Sequence, residues 1–164
     1  MILVLGLVLI LVGVIGLGDP MQHSLLYRLS ITAFGAGCLC LGIVVAKDPT
    51  RGGLANTVNE FSEKSEVGIL LHEDAIPIPN GVESACNMLG IDPLEIGNEG
   101  KVVLGVVKEK AEDVLAVLRK HPLGKHAAII GQATNTVSRV VLQTTVGGKR
   151  FIRKPLGDPI PRIC

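Results

Sequence analysis

Charge is distributed very unevenly along this chain of 164 residues. Residues 1–46 contain only two charged side chains, Asp19 and Arg28, whereas 15 of the 16 Lys and Arg and 14 of the 15 Asp and Glu come later. Because an unpaired charge is costly to bury, the two regions are suited to different surroundings. The sequence therefore divides near Lys47 into an apolar segment, residues 1–46, and a region with the charge content of an ordinary globular domain.

The apolar segment contains two uncharged stretches, residues 1–18 and 29–46. Each is near the lower limit of about 17 to 25 residues for a membrane-spanning helix. One interpretation is a helical hairpin that tethers the chain to a membrane, with Lys47 and Arg51 favouring a cytoplasmic remainder. The other is the remnant of a truncated N-terminal domain or a strand-rich segment. No basic residue precedes the first stretch, so a secretory signal is disfavoured.

The charged region alternates between helical and strand patterns. Leu54, Val58 and Phe61 recur at helical spacing, and they predict a helix that Asp48 caps and that stops near Ser65. Further helices are predicted at 80–89 and 109–120, and strands at 67–71, 101–107, 127–131, 139–145 and 149–153, the last two joined by a glycine hairpin. This order predicts an α+β fold for residues 47–154, with a mixed sheet and helices packed on one face. Three prolines make residues 155–164 a flexible or extended tail.

Composition excludes several classes of function. Basic and acidic side chains are interleaved after residue 46, and aromatic residues make up 2% of the chain, so no nucleic-acid surface is predicted. Cys38 and Cys40 have the spacing of a metal or redox pair, but they lie in an apolar run without His or acidic neighbours. They are therefore interpreted as small buried apolar residues. Three of the four histidines follow residue 46, namely His72, His121 and His126; they share no metal-ligand spacing, so no resident metal site is expected.

The last residue carries the most reactive group of the chain. Cys164 follows a proline-stiffened arm, which would allow a thiol to move between sites. A thiol must ionise to act as a nucleophile; the terminal carboxylate opposes ionisation, whereas Arg162 favours it. Without context, the alternative is that Cys164 is merely the end of an exposed tail.

Three segments supply that context, in this order: Asp-Pro-Thr-Arg-Gly-Gly-Leu at 48–54, Asn-Glu-Gly-Lys at 98–101 and Pro-Arg-Ile-Cys at 161–164. Together they resemble the C-terminal domain of the HypE family, which is a branch of the PurM-like, AIR synthase-related superfamily. Residues 75–79, 89–94 and 121–131 continue the similarity. The resemblance covers residues 47–164.

The resemblance implies a role in [NiFe]-hydrogenase maturation. In this family the terminal cysteine receives a carbamoyl group from HypF, ATP activates the carboxamide oxygen, and dehydration leaves a thiocyanate whose cyanide goes to iron on the HypC–HypD complex. Cys164 would be the carrier, and Glu99 the general base with Asn98 beside it. Phosphate contacts of ATP, which would bring Mg²⁺, would come from Asp48, Thr50, Arg51, Gly52 and Gly53, although the same block also reads as a closely packed helix entry.

The sequence also departs from the family pattern. HypE proteins have an N-terminal domain that supplies acidic nucleotide ligands and pairs two subunits, and residues 1–46 are too short and too poor in carboxylates to replace it. Whether the chain is an enzyme by itself therefore stays open, as does a homodimer. The alternative is a HypE-like binding and carrier module that dehydrates nothing. A PurM-like synthase that makes a purine or selenophosphate is disfavoured by the cysteine tail.

Overall fold

The computed structural model describes the backbone of residues 7–13 and all of residues 42–157. The strands are β1 (Leu7–Gly13), β2 (Ile43–Lys47), β3 (Gly68–His72), β4 (Lys101–Val107), β5 (Ala128–Thr134), β6 (Val140–Gln143) and β7 (Lys149–Phe151). The helices are α1 (Gly53–Ser65), α2 (Asn80–Leu89) and α3 (Ala111–Lys120), and short 3₁₀ turns occupy Glu73–Ala75, Lys108–Lys110 and Pro122–Gly124.

The described strands form one seven-stranded sheet in the order β2-β4-β1-β5-β3-β6-β7. The pair β3 and β6 is parallel, and the other neighbouring pairs are antiparallel. The predicted α+β fold with a mixed sheet is confirmed. The bounds predicted for α2 and β4 are also those observed, and Gly90 ends α2 in the left-handed conformation as expected.

The helices cover both faces of the sheet, which corrects the prediction of a single covered face. Val103 of β4 packs in the same cluster as Val58 of α1, whereas its neighbour Leu104 packs with Val114 and Leu115 of α3. Successive residues of a strand point to opposite faces, so α1 and α3 lie on opposite sides. The cause is crossover handedness. The connection from β2 through α1 to β3 and the connection from β4 through α3 to β5 cross the sheet in the same direction. Because β4 and β5 run opposite to β2 and β3, two right-handed crossovers place their helices on opposite faces.

Part of the apolar segment belongs to the sheet. Strand β1 lies between β4 and β5, where Leu11 is opposite Val103 on one side and Ala128 on the other. Residues 7–13 are therefore extended, which corrects the helical interpretation for this part of the first stretch. Among the residues that the structure describes, no helix is long and apolar enough to cross a membrane. Residues 1–6 and 14–41 lie outside the described part of the chain.

Candidate functional site

The first signature segment forms a turn before α1. The sequence predicted that Asp48 caps the helix, but it does not. Its Oδ1 instead accepts hydrogen bonds from the backbone N–H of Thr50, at 2.9 Å, and from the Thr50 hydroxyl. Gly52 and Gly53 then both adopt positive φ, 63° and 62°, and α1 begins at Gly53. Two consecutive left-handed residues are accessible only to glycine at low cost, so local geometry explains the glycine pair.

The two signature segments are bound to each other by backbone contacts. The N–H of Asn98 donates to the carbonyl of Pro49 at 3.0 Å, and the N–H of Ala55 donates to the carbonyl of Leu94 at 2.8 Å. A Cβ on Gly53 would lie 2.5 Å from the carbonyl oxygens of both Leu94 and Ile96. The loops 48–53 and 94–98 therefore pack backbone to backbone, and the candidate residues of both meet in one place.

The second signature segment presents its polar groups just before β4. Glu99 is exposed, and Gly100 turns the chain with a φ of 72°. With its amide oriented to satisfy both of its polar atoms, Asn98 accepts from the ammonium of Lys101 at 2.9 Å and donates to the Glu99 carbonyl at 3.2 Å. This arrangement holds the start of β4 in place and leaves the Glu99 carboxylate facing solvent.

A groove of about 220 Å³ adjoins this segment. Asn98 and Lys101 are its polar lining, and its walls are apolar and rich in proline: Pro49, Leu54, Ile76, Pro77, Ile78, Pro79, Val82, Pro93, Leu94 and Ile96. Burial lowers the pKa of the Lys101 ammonium. In the sequence, Lys101 stands out only as the last residue of the Asn-Glu-Gly-Lys segment. The detectable signal was a lysine at the first position of a β-branched strand.

The C-terminal tail leaves the domain beside the first signature segment. A Cβ on Gly52 would lie 3.5 Å from the ring of Pro155. Cys164 itself lies outside the described residues, as does Arg162. The seven residues after Gly157 can extend at most about 24 Å, from the rise of an extended chain.

One backbone amide of the first segment and two that follow it are engaged within the protein. The N–H of Thr50 bonds to Asp48, that of Ala55 to Leu94, and that of Asn56 to Gly52. These three amides are therefore not available to a phosphate, whereas the phosphate contacts expected of Gly52 and Gly53 stay a prediction. The Arg51 side chain is exposed and forms no ion pair within residues 42–157, so its guanidinium does fit a phosphate contact.

Two other residues with reactive side chains have structural roles in the described part of the chain. Nδ1 of His121 accepts from the N–H of Leu123 at 3.2 Å and so caps the start of the 3₁₀ turn Pro122–Gly124. Cys86 is buried in α2 as a free thiol, whereas Cys38 and Cys40 lie outside the described residues. Within residues 42–157, no group of three or more His, Cys, Asp or Glu side chains is placed to hold a metal ion.

Comparison with known families assigns the class of the protein. Residues 31–143 match the family described as AIR synthase related protein, C-terminal domain. The match covers more than half of the chain, includes both signature loops, and agrees with the mixed sheet. The chain belongs to this family.

Within it, the chain is similar to proteins of hydrogenase maturation. A relative from Methanocaldococcus jannaschii, named for hydrogenase expression and formation, is 58% identical over 118 residues, which are 72% of this chain and 35% of the relative. The carbamoyl dehydratase HypE of Bradyrhizobium diazoefficiens is 48% identical over 124 residues, 75% of this chain and 36% of that protein. The chain thus spans about a third of the length of the curated relatives that it matches.

Solved structures agree with this placement. Escherichia coli HypE superimposes with a TM-score of 0.78 and 34% identity over 99% of this chain and 54% of that one. For HypE in complex with ATP the TM-score is 0.72 and the identity is 32%, over 94% of this chain and 52% of that one. For the HypE–HypF complex the TM-score is 0.74 and the identity is 33%, over 92% of this chain and 53% of that one. The resemblance to the C-terminal domain of HypE is confirmed.

Proposed function

We propose that this chain supplies the carrier domain of a carbamoyl dehydratase in [NiFe]-hydrogenase maturation, with Cys164 as the carrier. The observation that carries the proposal is the junction of the loops 48–53 and 94–98, beside which the tail begins at Pro155. The seven residues after Gly157 reach at most about 24 Å, and in this proposal they carry the thiol to Glu99. The similarity to HypE proteins supports the same assignment.

The chemistry requires a leaving group and a base. A thiocarbamate, S–CO–NH₂, becomes a thiocyanate, S–C≡N, when its oxygen departs and both nitrogen protons are removed. ATP supplies the phosphoryl group with which that oxygen leaves as inorganic phosphate. We assign Glu99 as the base that withdraws a nitrogen proton, because an exposed carboxylate at a fixed turn can approach a substrate brought in by the tail. The Asn98 amide positions this turn through its contact with Lys101.

The residues of this chain would contact the nucleotide at one edge. Arg51, exposed at the start of α1, is the cation placed to bind a phosphate, with the Thr50 hydroxyl beside it. Asp48, Gly52 and Gly53 shape the turn that presents Thr50 and Arg51. The Mg²⁺ would arrive with ATP.

Partners follow from the chemistry of the carrier. A carbamoyl group has to reach Cys164 from a donor and the cyanide has to leave to an acceptor, which we assign to HypF and the HypC–HypD complex; the crystallised HypE–HypF complex supports the first. We accordingly propose a cytoplasmic site of action for residues 47–164. A homodimer would bring two such domains together.

The intact mass of the protein tests the carrier step. Incubation with HypF, carbamoyl phosphate and ATP should add one carbamoyl group to the chain, and Cys164→Ala should abolish the addition. The matched control, Cys86→Ser, removes the buried thiol of α2, and this variant should still gain the carbamoyl group. A modification that persists in Cys164→Ala contradicts the carrier assignment.

The subsequent mass change distinguishes an enzyme from a carrier module. A dehydratase loses the mass of one water from the carbamoylated chain when ATP is present, and Glu99→Gln should block this loss without blocking the addition. A chain that stays carbamoylated alone, but loses water when a full-length HypE variant without its own terminal cysteine is added, is a carrier module.

A further inference from the structure

Helix α2 is attached to the protein by very little of its surface. Of its ten residues, Cys86 is buried and the other nine are exposed. Its apolar side chains nevertheless follow helical spacing at Val82, Ala85 and Leu89, the pattern of a helix face that packs against another element. Val82 and Leu89 are 45% and 69% exposed. This apolar stripe has no counterpart among the described residues.

One flank of α2 borders the site groove and the other borders an acidic cleft. Val82 lines the groove that contains Asn98 and Lys101. Glu83 and Asn87, on the other flank, line a cleft of about 700 Å³ that shares Pro93 and Leu94 with the groove. A partner seated on α2 would therefore lie next to the candidate site.

The cleft has a strongly negative lining. Its carboxylates belong to Glu73, Asp74, Glu83 and Asp92, and Arg150 is its one cation, which leaves a net charge of minus three. Arg150 is bonded to Asp92 at 2.8 Å, so its charge is already compensated. The rest of the lining is mostly apolar and includes Ile76, Ile78 and Ile91, with Asn87 and Thr145 as its uncharged polar members. Apolar walls beneath carboxylates match the aliphatic stem and charged end of Lys or Arg.

These observations select the kind of partner. Two copies of this chain joined through α2 would bring two acidic clefts together, which like-charge repulsion opposes. A helix with apolar residues on one side and Lys or Arg flanking them satisfies both the stripe and the cleft. We propose that α2 and the adjoining acidic cleft form a docking surface for a basic amphipathic helix of a partner protein. This surface does not depend on the dehydration chemistry of the site.

A synthetic helical peptide of leucine and lysine, with leucines at the spacing of the α2 stripe, is the probe. Its binding to the full chain is measured by fluorescence anisotropy. We expect saturable binding that weakens with salt, and little binding of the matching leucine and glutamate peptide. The combined change Asp74→Lys and Glu83→Lys should weaken binding by about tenfold or more, as for loss of a central charge cluster. Leu89→Ser should weaken it through the stripe.

The control changes two exposed carboxylates near the start of α3, Glu109→Lys and Glu112→Lys, which add the same charge elsewhere. Binding should be unaffected. Equal weakening by the control, or equal binding of a scrambled leucine and lysine peptide, would mean general charge attraction and would overturn the proposal. Sedimentation showing that the chain alone forms a dimer, which Leu89→Ser converts to a monomer, would overturn it in favour of a second copy.

Discussion

At the scale of single residues, glycine positions decide how the two signature loops meet. Gly53 combines a φ of 62° with a separation of 2.5 Å between a built Cβ and the carbonyl oxygens of Leu94 and Ile96. Gly147 has a φ of 84° in the turn between β6 and β7, and no atom lies within 4 Å of its built Cβ. The two positions therefore separate backbone strain from steric conflict.

We expect Gly53→Ala to destabilise the protein by about 3 kcal/mol, of which about 1 comes from the left-handed backbone and the rest from displaced carbonyls. Gly147→Ala should cost about 1 kcal/mol from backbone strain alone. Urea denaturation followed by circular dichroism measures both. Equal effects of the two substitutions would mean that the loops do not approach as described.

A second residue-scale prediction concerns pH. Glu60 of α1 forms an ion pair with Lys47 of β2 at 2.5 Å and accepts from Asn56 at 3.0 Å. The hydrogen bond from Lys47 holds the pKa of Glu60 below its ordinary 4.5. The native state then binds this proton less readily than the unfolded chain, so the stabilisation is present above that ordinary value and is lost as pH falls through the native pKa.

Glu60→Gln should therefore lower the free energy of unfolding at neutral pH by about 0.5 to 1 kcal/mol, the range for a partly exposed pair. The difference from the unmodified protein should disappear in acid, below the native pKa of Glu60. Urea titrations across this range measure it. Glu112→Gln, which removes a carboxylate without an ion pair in the described region, is the control. A constant difference at all pH values would contradict the assignment.

At the scale of elements, the two faces of the sheet make separate hydrophobic layers. Val58 of α1 is fully buried in one and Val114 of α3 is 3% exposed in the other. Val58→Ala and Val114→Ala should each cost about 2 kcal/mol, from lost burial and the remaining cavity. Because the sheet lies between them, the double variant should be additive within about 0.5 kcal/mol. A larger coupling energy in denaturation experiments would place the two helices on one face.

The elements also show what local sequence could predict. Strand β4 is a β-branched run and α2 lies between Pro79 and Gly90, so local signals were enough for their bounds. The start of α1 was misassigned because Asp48 has the residue type of a helix cap, but its carboxylate bonds to Thr50. The face of α3 depended on strand directions across the whole sheet, and no local pattern contains that information.

In the candidate site, too, local motifs predicted some features, and others required the folded backbone. The motifs at 48–54 and 98–101 identified both loops, but their contact joins residues about fifty positions apart and became visible only with the backbone bonds of Pro49 and Ala55. Lys101 gained its significance from burial in the groove, which no spacing rule predicts. The docking surface on α2 was missed because its apolar spacing looks like that of any core helix.

At the scale of the whole molecule, the position of β1 determines which part of the chain can fold. The sequence predicted a domain boundary near Lys47, but β1 joins β4 to β5 and thereby connects the two halves of the sheet. If this pairing stabilises the fold, the apolar segment cannot be separated from the domain. A proline in β1 tests this, because it removes a ladder hydrogen bond and disturbs pairing in a central strand.

Leu11→Pro changes a residue that is paired to Val103 and Ala128 on both sides, and we expect a loss of about 3 kcal/mol or more with cooperative unfolding of the sheet. Val44→Pro is the control, since Val44 is 56% exposed at the irregularity in edge strand β2 and has no registered partner. It should cost much less, because a proline at an edge-strand bulge removes little pairing. Denaturant midpoints and amide hydrogen exchange in β4 and β5 measure the difference. Unchanged exchange in both strands with Leu11→Pro would mean that β4 and β5 do not depend on β1, and the boundary near Lys47 would then stand.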